Sequence, residues 1–159
     1  TIKIQSMNET IRQSQTDPAY KGLIAMQDEA LCHLFFHCCL RDGRFSDAEI
    51  DAISSRFVAF GLHKNLNFKD EVLKYRSYVN DINNEKEYIQ FLVQLIKPAN
   101  ELAVYSYCLE LSLTDADLSL QEEKLLGTIA EVLNLTQEET SVTRKLMAQR
   151  KVVESQLLF

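Results

Sequence analysis

Apolar residues along this chain recur at helical spacing, and no segment alternates apolar and polar residues long enough to predict a strand. Two runs stand out, residues 30–40 and 103–113, about a dozen residues each and apolar nearly all round. Such helices belong in the middle of a fold, and both are too short and too interrupted, by His37 and Glu110, to span a membrane. Around them the pattern predicts helices near 3–14, 18–42, 46–60, 67–81, 84–97, 99–114, 119–133 and 136–156. Their starts carry recognisable caps. Asp17-Pro18 offers an N-cap and a first-turn proline, and Ser46/Glu49, Asn84/Glu87, Ser119/Glu122 and Thr136/Glu139 have capping-box spacing. Gly61 and Asn134 suit the left-handed residue that ends a helix.

An octapeptide is written twice. Asp42-Gly43-Arg44-Phe45-Ser46-Asp47-Ala48-Glu49 returns 73 residues later as Asp115-Ala116-Asp117-Leu118-Ser119-Leu120-Gln121-Glu122. The similarity runs outward from both copies, from the apolar helix before to the amphipathic stretch that closes on Phe60-Gly61-Leu62 and Leu133-Asn134-Leu135. One helix–turn–helix unit used twice explains this, with repeat units near 28–62 and 101–135 and a pseudo-two-fold arrangement. The two apolar runs are expected to pair as a spine, with the helix after each motif folding back on it. The expected fold class is therefore an all-α, single-domain bundle of about eight helices over residues 1–159.

Composition agrees. The 159 residues suffice for one domain with a core of its own, and only four glycines and two prolines leave little for loops. Cys32, Cys38, Cys39 and Cys108 all fall in apolar helical runs and are expected as buried free thiols. With no basic start leading into an apolar run near residue 1, a cytoplasmic location is expected. Net charge is −6, and residues 101–140 hold nine acids against the single base Lys124. That disfavours nucleic acid as a partner; a cation or a basic protein surface suits the acidic segment better.

Candidate chemistry centres on the repeated motif. Capping accounts for Ser46, Ser119, Glu49 and Glu122. It does not account for Asp42 and Asp115, acids at the C-terminal ends of helices where the dipole is negative. They need compensation from an Asx-type turn, from a basic neighbour such as Arg41, or from a cation. If both turns lie at one end of the bundle, Asp42, Glu49, Asp115, Asp117 and Glu122 make an all-oxygen set suited to Ca²⁺ or Mg²⁺. The spacing is not that of an EF-hand. His33 and His37 share a helix face at the spacing of helical metal sites, yet lie in an apolar run that suits packed or hydrogen-bonded core histidines. The buried setting also argues against a reactive Cys–His pair. Tyr75, Tyr78, Tyr88 and Phe91 are expected as core or groove lining.

The residues carry a resemblance. A core helix ending in Asp-Gly, a short turn, a capping Ser, a Glu and an amphipathic helix closing on apolar-Gly-Leu resembles the TerB family of tellurite-resistance proteins over roughly residues 25–140. The second copy continues Leu125-Leu126-Gly127-Thr128-Ile129-Ala130-Glu131-Val132-Leu133-Asn134-Leu135, similar to that family's downstream pattern. It departs at Ala116, where the family has Gly, with Asp117 adding an acid beside it. The resemblance implies a two-halved helical fold, a cytoplasmic role in the response to tellurite and related stresses, an acidic metal-binding surface and partners among other stress-response proteins. The leading expectation is a non-enzymatic binding module. The alternatives are a metal-dependent enzyme using His33, His37 and nearby acids, and a structural scaffold whose basic C-terminal helix pairs with a partner or with another copy as a homo-oligomer.

Overall fold

The computed structural model describes residues 17–41, 47–113 and 118–155, the last five as backbone alone. Among these residues there are eight α-helices and no strand. They are α1 (Tyr20–Leu23), α2 (Gln27–Leu40), α3 (Asp47–Ala59), α4 (Phe68–Tyr78), α5 (Glu85–Ile96), α6 (Glu101–Ser112), α7 (Leu120–Val132) and α8 (Gln137–Ser155). Short 3₁₀ turns at Leu62–Lys64 and Val79–Asp81 follow α3 and α4. The helix expected at 3–14 lies outside the described residues. No described helix is long and apolar enough to cross a membrane.

The helix starts follow their side chains. Ser119 and Glu122 form a full capping box at α7, and Thr136 and Glu139 exchange the same pair of bonds at α8. Asn84 accepts from the Glu87 N–H. Asn67 and Asn100, which the sequence reading passed over, do the same for Asp70 and Ala103. Each cap satisfies a donor that the first turn leaves unpaired.

One expectation fails. The helix predicted over 18–42 is two helices, broken at residues 24–26, with Ile24 and Met26 both extended. Asp17 caps neither; Ala19 is the N-cap of α1 and makes no side-chain bond. The break answers a packing demand. Tyr20 is buried, with its ring centroid 4.9 Å from that of Tyr88 and 5.3 Å from that of Phe91. Ile24 is buried as well. Burying both while α2 keeps its central place favours a bend over a continuous helix.

Gly61 and Asn134 both have positive φ, 71° and 57°, the left-handed conformation expected of them. A Cβ at Gly61 would meet nothing closer than the Lys64 side chain at 3.9 Å, so the conformation alone resists substitution. Gly61→Ala should therefore cost about 1–2 kcal/mol in urea unfolding. An unchanged midpoint would mean that the turn relaxes freely.

Helix α2 is the centre. It packs on α5, α6, α4 and α3, and α7 covers α5 and α6. The pairing of the two apolar helices, α2 and α6, matches the expected spine. Their C-terminal ends meet: the Cys39 thiol approaches the Leu111 carbonyl at 3.7 Å. All four cysteines are free and buried. The bounds of α7 are those of α3 displaced by 73 residues, and α6 matches α2 so displaced to within one residue at each end.

Candidate functional site

The most densely polar region is inside the core, on α2, α4 and α5. His33 and His37 are 0% and 1% exposed, as an apolar helix predicts, and both find polar partners there. His33 Nδ1 lies 2.6 Å from the Tyr78 hydroxyl, and its Nε2 lies 2.9 Å from Glu71 Oε1. Tyr78 passes the chain on to the Tyr88 hydroxyl at 2.6 Å. On the other side, Lys74 bridges Glu71 at 3.4 Å and Glu29 at 2.6 Å. A continuous line of hydrogen bonds and ion pairs thus runs Glu29–Lys74–Glu71–His33–Tyr78–Tyr88.

His37 heads a second, shorter line. Its Nδ1 lies 2.8 Å from the Tyr75 hydroxyl. Its Nε2 faces Glu85 Oε2 at 3.6 Å, too far for a hydrogen bond, and among the described residues that nitrogen has no partner. Glu85 is instead gripped by Arg41. Arg41, the basic neighbour expected to relieve Asp42, pairs with Glu85; Asp42 itself lies outside the described residues.

Burial and charge set the protonation states. Burial pushes the Glu71 carboxyl up, but the hydrogen bond and charge of His33 and the charge of Lys74 outweigh it and hold the group below its ordinary 4.5. Glu85 is likewise held low: burial opposes, and His37, Arg41 and Lys124 prevail. Desolvation pushes His37 below its ordinary 6.5. The phenols of Tyr75, Tyr78 and Tyr88 are pushed far up, chiefly by burial. Cys38 is raised by its hydrogen bond to Cys108 and by burial, and Cys32 is raised by burial and by the nearby Glu71 and Glu29. Thiols so placed are poor nucleophiles.

The acidic set fares differently. Asp42, Asp115 and Asp117 lie outside the described residues. Glu49 stands half-buried in the first turn of α3. Glu122 accepts from the Ser119 N–H at 3.4 Å as the reciprocal arm of its cap. Among the described residues, no three His, Cys, Asp or Glu side chains converge as a metal would require. Both His33 nitrogens are taken by protein partners. Glu110, which holds the repeat position of His37, pairs with Arg56 at 2.5 Å, and the Arg56 guanidinium lies over the Tyr107 ring at 5.0 Å.

Glu29, Glu71, Lys74 and Glu85 are the site residues that sequence reasoning missed. A signal existed: Glu71, Tyr75 and Tyr78 are spaced four and three, which puts a carboxylate on the same helical stripe as two aromatics. No family model, no curated protein and no solved structure matches this chain.

Proposed function

We propose that the protein is a non-enzymatic, cytoplasmic helical binding module of TerB-like design. In this reading two pseudo-symmetric halves, about 28–62 and 101–135, present their acidic turns together and hold a divalent cation such as Ca²⁺ or Mg²⁺ with Asp42, Glu49, Asp115, Asp117 and Glu122. One observation carries the reading: the C-terminal ends of α2 and α6 meet at Cys39 and Leu111. The segments that follow those ends carry Asp42, Asp115 and Asp117. Carboxylates gathered there would repel one another, with no helix dipole to relieve them. The common 73-residue displacement of the helix bounds supports the two-halved design.

A bound cation stabilises by mass action, by about 2.7 kcal/mol at a hundredfold excess over its dissociation constant. Millimolar Ca²⁺ or Mg²⁺ should therefore raise the melting temperature beyond what matched monovalent salt does. Asp42→Asn and Asp115→Asn should each shrink that gain, while stability without cation holds or rises. If the variants respond to cation like the parent, the aspartates are turn formers only. The better account is then a protein-interaction scaffold, to which the exposed Val142 and Leu146 of α8 would contribute.

A further inference from the structure

Among the described residues, His37 Nε2 is buried without a hydrogen-bond partner, and it faces, at 3.6 Å, a carboxylate that Arg41 already holds. We infer that His37, Glu85 and Arg41 form an acid-operated latch at the end of α2: protonation of His37 draws Glu85 onto the imidazolium and releases Arg41 to solvent. The inference stands independently of cation binding.

The asymmetry between the two cations decides which way Glu85 goes. The His37 side chain is 2% exposed, whereas that of Arg41 is 38% exposed. A buried imidazolium cannot recover its hydration and needs a counter-ion within the protein. A guanidinium at the surface can exchange its carboxylate for water at small cost. Glu85 Oε2 is near enough to close the 3.6 Å gap by a small rotation of its side chain.

In the neutral state His37 Nδ1 lies 2.8 Å from the Tyr75 hydroxyl. With that phenol as donor, Nε2 carries the hydrogen that points at Glu85, and protonation at Nδ1 turns the Tyr75 hydroxyl from donor to acceptor. Other charged and titratable groups around the site do not displace Glu85 in this role. From α4 comes Tyr75, and from α5 Tyr88, whose ring centroid lies 4.9 Å from that of His37; both remain neutral phenols. From α7 comes Lys124, whose charge acts on Glu85. From α6 comes the Cys108 thiol, which faces the neighbouring Cys38. Arg41 directly precedes the segment 42–46 in sequence.

The test is NMR of the folded chain between pH 7.5 and 4.5, following the His37 ring nitrogens and the Arg41 Nη–H hydrogens. Near-ultraviolet circular dichroism at each pH confirms that the fold persists. His37 should titrate within the folded state, and exchange of the Arg41 Nη–H hydrogens with water, taken relative to free arginine at the same pH, should accelerate across the same interval. Arg41→Gln removes the competitor and should raise the His37 midpoint, whereas Glu85→Gln removes the counter-ion and should lower it, each by on the order of one pH unit. A His37 that stays neutral until the chain unfolds, shifts of equal sign or no shift in the two variants, or Arg41 exchange unchanged while His37 titrates would each overturn the latch.

Discussion

Glu71→Ala is expected to destabilise the fold by about 3–5 kcal/mol. Glu71 is 5% exposed and joins two side chains: it accepts from His33 Nε2 and pairs with Lys74. Truncation leaves a buried imidazole nitrogen with nothing to meet. It also leaves Lys74 held by Glu29 alone. Removing one partner of a buried pair exposes the other's full desolvation cost, which is why the effect exceeds the worth of one hydrogen bond. For a chain of this size the melting temperature should fall by roughly 10 °C. Glu71→Gln keeps an acceptor for His33 and should cost less. In a double-mutant cycle, Glu71→Ala and His33→Ala should together cost less than the sum of the two, by at least about 0.5 kcal/mol. Strict additivity, or a single-variant loss under about 1 kcal/mol, would show that water satisfies these groups and that the network contributes little.

Stability should hold a plateau between about pH 6.5 and pH 9 and fall on both sides. The sign on the acid side follows from the depressed groups. Glu71 and Glu85 are held below 4.5, so the unfolded chain takes up their protons first as pH falls, and the stability they lend is lost below that value. His37 is held below 6.5 and behaves alike: the unfolded chain protonates first, so the decline begins near pH 6.5 and steepens below 4.5. On the alkaline side Cys32 and Cys38 are raised above 9.0, and Tyr75, Tyr78 and Tyr88 above 10.0. The unfolded chain loses those protons first, so stability falls above pH 9 and more steeply above pH 10, by about 1.4 kcal/mol per pH unit for each thiol or phenol still protonated in the fold. Lys74, raised above 10.5 by Glu29 and Glu71 against its burial, adds to that loss. Urea unfolding midpoints from pH 3.5 to 11.5 test this; a curve flat down to pH 4, or flat up to pH 11, would contradict the buried network.

What could be read in the sequence was local. Ser119, Thr136 and Asn84 cap helices because each hydroxyl or amide needs only a backbone three residues away. Gly61 and Asn134 adopt the left-handed conformation for reasons held within a turn. The apolar character of α2 was enough to bury His33 and His37 at its centre. Their partners were not legible, because Glu71, Tyr75 and Tyr78 arrive from a helix about forty residues away, and Glu85 from farther still. A helix apolar on every side gives no periodic clue to which neighbour faces which residue. The break at residues 24–26 escaped for the same reason, since Tyr20 packs against Tyr88 and Phe91 of α5. The acidic set was readable as composition; Asp42, Asp115 and Asp117 lie outside the described residues.

Calorimetric titration of the intact chain with Ca²⁺ and Mg²⁺ bears most directly on the proposed function. Saturable binding of one ion per chain, weakened about tenfold or more by Asp42→Asn and again by Asp115→Asn, is the expected result; each tenfold corresponds to about 1.4 kcal/mol. The contrary result would be no saturable heat with either ion, or an affinity that neither variant changes. Either would remove the cation from the function of this protein.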